Sequence, residues 1–257
     1  MTMAISSRTM LMPPMTRQPA RHVRSDIRPD ARGGHVAPAR VPPPQAATPP
    51  LATCSPTADP RLMILQDPNS AQSAAFRVLR DTLIMKGLPR VLAVTSPEAG
   101  DGKTTCAVNL ALALAERGTA RLLLLDASFA APAIAGLLGI DDTAPRDRAW
   151  SAPFTLAALK PSLHVATLAQ RPGPPSYVDF TTLARQLEAF LRAGYHHVIL
   201  DMATLDSSPE ANLPLPLAGG VLLTVRAGRS RTGPLRRAVE RIGPGKALGI
   251  TLMDAPV

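Results

Sequence analysis

Two hydrophobic periodicities alternate along this chain from residue 61 onward. Ala71–Lys86 places Phe76, Leu79 and Leu83 on one helical face, with Arg77 and Asp81 spaced for an i,i+4 ion pair. Val91–Thr95 is a short apolar run that reads as a strand. An amphipathic segment opens at Lys103 and runs to Arg117, where Gly118 supplies a stop signal, and the apolar run Arg121–Asp126 follows. Asp179–Ala193 returns to helical spacing, with Phe180, Leu183, Leu187 and Phe190 inward and Gly194 at its end. Strand-like runs follow at His196–Asp201, Gly220–Val225 and Leu248–Leu252. Continuous apolar strands separated by helices predict an α/β domain, a mostly parallel sheet covered by helices on both faces.

Composition changes this picture at the N-terminus. Twelve of the 28 prolines lie in residues 1–60, together with seven Arg and three Asp, so that segment carries 7 − 3 = +4 of the +9 net charge. It reads as a disordered basic arm, leaving residues 61–257 as one folded domain. The opening MTMAISSRTMLMPP lacks the apolar core of a secretion signal, and no later run reaches membrane-spanning length. A cytoplasmic protein is expected. Cys54 and Cys106 are too few for a disulfide framework, and Cys106 reads as packing.

The chemistry is concentrated in Leu92–Glu116, LAVTSPEAGDGKTTCAVNLALALAE. An apolar strand, a Gly-rich turn and a helix follow one another there, and Gly102, Lys103 and Thr104 open the helix. Glycines let backbone N–H groups surround phosphate oxygens, and the helix N-terminus adds its positive end. This is a phosphate-binding loop (P-loop), although Pro97 stands where the pattern GxxxxGK[ST] has its first Gly. Gly100, Asp101 and Gly102 would cradle ATP phosphates, with Ser96 and Thr105 flanking them. Lys103 would reach the outer phosphates, and Thr104 would ligate Mg²⁺.

Ligands of open parallel sheets bind beyond the carboxyl ends of the strands. Asp126 and Asp201 each end a strand on that edge. Mg²⁺ takes oxygen ligands, usually one or two protein carboxylates plus water and phosphate. Asp126 and Asp201 are therefore candidate metal ligands and, with Lys103, candidate catalytic residues that position the nucleophile. Capping the loop after its strand is the alternative role for either aspartate.

A second cluster lies near the C-terminus. Arg226, Arg229, Arg231, Arg236, Arg237 and Arg241 fall within 16 residues, with Leu235, Val239 and Ile242 on the buried side of the helix. DNA, an anionic membrane surface or an acidic partner would suit such a face, and a solvated face is the plainer reading. No aromatic residues interleave with these arginines for base stacking.

The order AAFRVLRDTL, VTSPEAGDGKTTCAVNLALAL, LLLLDASFAAPAIAGLLGI, RPGPPSYVDF, YHHVILDM and GGVLLTVRAG resembles the bacterial tyrosine autokinases of capsule and exopolysaccharide synthesis. Those belong, with the partitioning and septum-site (ParA/MinD-like) ATPases, to the deviant P-loop group. The resemblance spans about residues 65–253. Ser96, Gly100, Gly102, Lys103 and Thr104 match the kinase loop TSxxPGEGKS/T, and Glu98 stands where partitioning ATPases carry a signature Lys. Departures are specific. The family's DxDxR motif is Asp126, Ser128 and Ala130 here, and its DxPP motif is Asp201 followed by Met202, Ala203 and Thr204. Its oligomerisation motif ExxRxxR is Ala74, Arg77 and Arg80. Met253 stands at the end of the last strand, where the family often has Asn near the base. The family's autokinases commonly end in a tyrosine-rich tail, whereas this sequence has only Tyr177, in a Pro-rich loop, and Tyr195, expected to pack at the sheet end.

The resemblance implies ATP and Mg²⁺ as cofactors and tyrosine kinase or ATPase activity in exopolysaccharide assembly. It also implies recruitment to the inner membrane face by a membrane-bound polysaccharide chain-length (co-polymerase) protein, and homo-oligomerisation. Two alternatives stay open. One is a nucleotide-binding regulator without phosphotransfer. The other is a partitioning-type ATPase that holds DNA or a membrane through its basic arm and C-terminal arginines.

Overall fold

The computed structural model describes residues 51–52, 54–140, 154–168, 180–206 and 209–254. Most of the arm, Tyr177 and its Pro-rich loop therefore lie outside the described residues. Among the described residues, seven strands pair into one sheet: β1 (Val91–Thr95), β2 (Leu122–Ala127), β3 (Phe154–Lys160), β4 (Leu163–Leu168), β5 (His197–Met202), β6 (Gly220–Arg226) and β7 (Ala247–Met253). Their order across the sheet is β3-β4-β2-β5-β1-β6-β7, and every neighbouring pair is parallel except β3–β4. The expected mostly parallel α/β sheet is thus present. The antiparallel β3–β4 pair at one edge was not expected from the sequence.

Strand residues alternate between two cores, as the pleat requires. Leu92, Val94, Leu122, Leu124, Ile199 and Leu222 pack beneath α1 (Met63–Gln66), α2 (Ala71–Met85), α3 (Lys103–Ala115) and α4 (Ile134–Leu138). Ala93, Leu123, Leu125, Val198, Leu200, Val221 and Leu223 face α5 (Phe180–Arg192) and α6 (Thr232–Ile242). Both sets are apolar because both faces are covered, which is why these strands read as continuous hydrophobic runs.

Two sequence expectations change here. The segment from Lys103 is not amphipathic: Thr105 through Ala115 are all buried, because α3 lies between the sheet and α1–α2. Nor do Arg77 and Asp81 pair along α2. The Arg77 guanidinium donates from Nε and Nη2 to both oxygens of Glu116, at 2.8 and 2.6 Å, and from Nη1 to the Pro68 carbonyl. A carboxylate just beyond α3 offers two parallel bonds, which an i,i+4 neighbour does not. Asp81 takes Arg80 and Arg117 instead. Arg80 also reaches Glu116 and the Ala113 carbonyl. The arginines of the ExxRxxR-like segment are thereby engaged within this chain.

Packing also begins before residue 61. The Ala52 N–H donates to Leu156 O at 2.7 Å, Ser55 N–H donates to Gly139 O, and Thr57 Oγ1 donates to Leu137 O. The last residues of the stretch read as an arm are attached to β3 and to the end of α4.

Candidate functional site

The central strand β1 lies between β5 and β6, so the chain leaves it toward β2 on one side and returns to β6 on the other. A crevice at the carboxyl ends of β1 and β5 follows from that reversal. The loop between β1 and α3 occupies it. Gly100 (φ 85°) and Gly102 (φ 88°) are left-handed, the conformation that lets consecutive N–H groups converge. A Cβ on Gly102 would also sit 3.2 Å from the Met253 side chain, so another residue here would be strained in its backbone and would need Met253 to shift.

The loop is braced from inside. Ser96 Oγ donates to the Glu98 carbonyl at 2.8 Å, and the Glu98 N–H donates to Asp101 Oδ2 at 3.2 Å. Asp101 is buried, and its Oδ1 accepts from Ser230 Oγ at 2.6 Å. Lys103 and Thr104 form the first turn of α3. Lys103 Nζ is 3.3 Å from the Thr104 hydroxyl, which donates to Asp201 Oδ2 at 2.7 Å. Thr105 is buried one position further on, and its carbonyl accepts from Asn109.

The two aspartates face each other in register on β2 and β5. Both are fully buried, yet their surroundings differ. Asp126 accepts three backbone N–H groups: Ser128 on Oδ1 at 3.2 Å, and Ala133 and Ile134 on Oδ2 at 2.9 and 3.0 Å. Burial pushes its carboxyl up, and those N–H donors pull it back toward the ionised form. Its carboxylate organises the loop between β2 and α4. Asp201 has less compensation. Its Oδ1 has no hydrogen-bond partner, and the Lys103 ammonium stands 3.9 Å away. Desolvation pushes Asp201 up to about 7, with the Asp126 charge adding to the rise and Lys103 and Thr104 opposing it.

An orphaned buried carboxylate oxygen beside a threonine hydroxyl is an oxygen-donor set suited to Mg²⁺. Among the described residues there is no group of three or more His, Cys, Asp and Glu side chains arranged for a metal. An ion here would complete its shell with phosphate and water.

Of the arginine cluster, four side chains form ion pairs: Arg226 with Asp254 at 2.6 Å, Arg231 with Glu98, Arg236 with Glu240 and Arg237 with Asp206. Arg241 bonds Leu205 O and Asn212. The segment is therefore far less cationic than its arginine count indicates. Sequence reasoning missed Ser230 and Arg231 as partners of the phosphate loop. The available signal was two acidic residues, Glu98 and Asp101, in a loop built for anions. Tyr195 packs as expected, buried against Phe190 and under the Arg121 guanidinium, with its hydroxyl 2.5 Å from His164 Nδ1. No helix among the described residues is long and apolar enough to cross a membrane.

Comparison with known proteins agrees with this geometry. The family described as "ParA: NUBPL iron-transfer P-loop NTPase" matches residues 87–209. The succinoglycan biosynthesis transport protein ExoP of Rhizobium meliloti is 26% identical over 206 residues, covering 74% of this chain and 26% of that protein. The chain thus spans about a quarter of that relative's length. The tyrosine-protein kinase YwqD of Bacillus subtilis is 23% identical over 202 residues, 72% of this chain and 81% of that one. The kinase domain of Escherichia coli tyrosine kinase ETK superposes with a TM-score of 0.63 at 22% identity, over 74% of this chain and 78% of that one, a likeness of fold. A shorter match of 61 residues, 44% identical, joins the chain to the iron-sulfur cluster carrier protein of Salmonella typhimurium, over 24% of this chain and 16% of that one. The chain is thus similar to the ParA-type P-loop NTPases over residues 87–209 and to bacterial tyrosine kinases of polysaccharide synthesis over more than 200 residues.

Proposed function

We propose that this chain binds ATP with Mg²⁺ and transfers or hydrolyses the γ-phosphate in exopolysaccharide assembly. The observation that carries the reading is the chain of contacts from Lys103 through Thr104 to Asp201 Oδ2, with the orphaned Oδ1 of the same carboxylate beside it. Backbone N–H groups at Gly100–Gly102 would cradle the phosphates, with Ser96, Asp101 and Thr105 shaping the loop and Lys103 neutralising the outer oxygens. Thr104 and Asp201 would hold the metal, which when bound draws charge from the phosphates. Asp126 would keep the Asp201 side of the crevice in place and act on the metal through water. An attacking hydroxyl or water would be oriented by Asp201. The kinase-like relatives are matched across more than 200 residues, whereas the iron-sulfur carrier matches only 61, which favours the kinase-like reading.

A membrane-bound co-polymerase at the inner membrane face is the proposed partner, and assembly of several copies the proposed oligomeric form. A regulator that binds nucleotide without phosphotransfer is the second reading. It is favoured by Ser128 and Ala130 at motif positions, and by the engagement of Asp126 with three backbone donors. ATP labelled in its γ-phosphate separates the two. The kinase-like reading expects protein-bound label or free phosphate from wild type and neither from Lys103→Ala. Binding without turnover in wild type selects the regulator.

A further inference from the structure

The phosphate loop is fastened to the connection between β6 and α6 at two points, both through acidic residues of the loop itself. Asp101 Oδ1 accepts from Ser230 Oγ at 2.6 Å, and that same hydroxyl oxygen accepts the Arg226 N–H at 2.7 Å. Glu98 receives the guanidinium of Arg231 through Nε and Nη2, and its Oε2 also lies 3.4 Å from the Arg231 N–H. The Arg231 guanidinium beside Glu98 holds that carboxyl below the usual range, so the residue is ionised at neutral pH.

The two fastenings differ in kind. Asp101 is 3% exposed, and its bond to Ser230 is a fixed part of the loop. Arg231 keeps 74% of its side-chain surface exposed, so little packing holds its guanidinium on Glu98. An exposed ion pair of this kind is held weakly, because water screens it and ordering two long side chains opposes it. A guanidinium gains more from a phosphate, which offers more charge and a matching bidentate geometry. The backbone on either side is anchored, by Ser230 to Asp101 and by the first turn of α6, so the side chain can turn while the chain stays in place. Within the loop Lys103 is the only cationic side chain, while Glu98 and Asp101 are acidic.

We propose that Arg231 is a phosphate-reading residue supplied in cis: it rests on Glu98 in the structure and turns to the outermost phosphate of a bound nucleoside triphosphate. This rests on the nucleotide-binding reading and adds to it the means of telling a triphosphate from a diphosphate. Glu98 is the holding partner, and Ser230 the anchor that aims the segment.

Titration calorimetry of the purified full chain with ATP and with ADP, each with Mg²⁺, tests the assignment without reference to turnover. Arg231→Ala is expected to weaken ATP about tenfold and to change ADP less than about twofold, the size of a hydrogen bond to a charged group. The double variant Glu98→Gln/Arg231→Ala decides whether the arginine touches phosphate or only offsets the charge of Glu98. If it touches phosphate, the double variant stays about tenfold weak for ATP. Recovery of the wild-type ratio of ATP to ADP affinity in the double variant overturns the proposal, as does an equal effect of Arg231→Ala on both nucleotides. Lys103→Ala separates this outcome from failure of the underlying reading. Wild type that binds neither nucleotide, or that binds as Lys103→Ala does, removes the nucleotide site itself and Arg231 with it.

Discussion

The Thr104 hydroxyl donates to Asp201 Oδ2 at 2.7 Å, joining the first turn of α3 to the end of β5 across 97 positions of sequence. That bond satisfies one oxygen of a fully buried carboxylate and leaves the other, Oδ1, with only the Lys103 ammonium 3.9 Å away. A buried charge with one incomplete partner costs stability, and a ligand that completes it recovers that cost.

Asp201 makes stability depend on pH in a direction opposite to that of a salt-bridged carboxylate. Its folded pKa, raised to about 7, lies well above the unfolded value near 4. Its contribution is therefore fully present below about pH 4 and is lost as pH rises through about 7. Asp201→Asn removes the titration. We expect the stability of this variant relative to wild type to rise by roughly 2–4 kcal/mol between pH 5 and pH 8 in the absence of nucleotide and metal. Thermal unfolding of both proteins across that range measures it. A constant difference between the two curves would show that Asp201 does not titrate there.

The two loop glycines share a backbone conformation but not their surroundings. A Cβ on Gly100 meets nothing within 4 Å, whereas one on Gly102 meets Met253 Cγ at 3.2 Å and Cε at 3.3 Å. Each alanine variant carries a left-handed strain of about 1–2 kcal/mol. Only Gly102→Ala, at the start of α3, must also shift Met253, at the end of β7. Gly102→Ala is expected to lower ATP affinity at least tenfold more than Gly100→Ala, measured by calorimetry.

The strand, loop and helix from Val91 to Ala115 were legible because their signal is local: an apolar run, glycines and Lys103–Thr104 are contiguous. The Thr104–Asp201 bond was legible only in part. Both residues could be named, but their contact depends on β5 lying beside β1, an order no single segment encodes. The β3–β4 pair was missed because both segments are short and FTLAALK, at the sheet edge, mixes exposed with buried positions. Arg77 was given the wrong partner because Asp81 is near in sequence while Glu116 is near in space. Glu98–Arg231 spans 133 positions and leaves no periodic trace. Local chemistry could be read from the chain, and pairings between distant polar residues required the fold.

Thiol chemistry tests the packing reading of the cysteines. Cys106 is fully buried, and burial pushes its thiol up to about 12. Cys54 is half-buried, with its thiol donating to Leu138 O at 3.4 Å and its pKa also raised by burial. A thiol-reactive disulfide reagent at pH 8 should titrate one cysteine slowly in the native protein and both in denaturant, because only thiolate reacts. Rapid native labelling of two thiols would contradict the packing of α3.

The end of the segment read as an arm has a measurable attachment. Gly139 is left-handed at φ 57°, and a Cβ there would stand 2.2 Å from the Ser55 carbonyl oxygen, a backbone atom that cannot swing aside. Gly118 is also left-handed, at φ 63°, with nothing within 4 Å of its Cβ position. Gly118→Ala reports conformational strain alone, about 1–2 kcal/mol. Gly139→Ala adds loss of the Ser55–Gly139 backbone bond, so it should cost about 1 kcal/mol more. It should also make residues 52–57 more open to limited proteolysis.

Asp126 offers the sharpest separation of a fold-building carboxylate from a metal ligand. Three N–H groups converge on it, two of them from the start of α4, and removing their acceptor leaves buried donors unsatisfied. Asp126→Ala is therefore expected to destabilise the protein by about 2–4 kcal/mol even without Mg²⁺ or nucleotide. Asp201→Ala presents the reverse case, because it removes a poorly compensated buried charge and so costs less fold stability at pH 8. If Thr104 and Asp201 hold the metal, Asp201→Ala should abolish the gain in ATP affinity that Mg²⁺ brings, while Asp126→Asn keeps most of that gain at reduced thermal stability. Calorimetric titrations with and without Mg²⁺, run below each variant's melting temperature, read binding apart from folding. Equal loss of the Mg²⁺ effect in Asp126→Asn and Asp201→Ala would make Asp126 a direct ligand and would require the loop before α4 to surrender one of its N–H bonds when the metal binds.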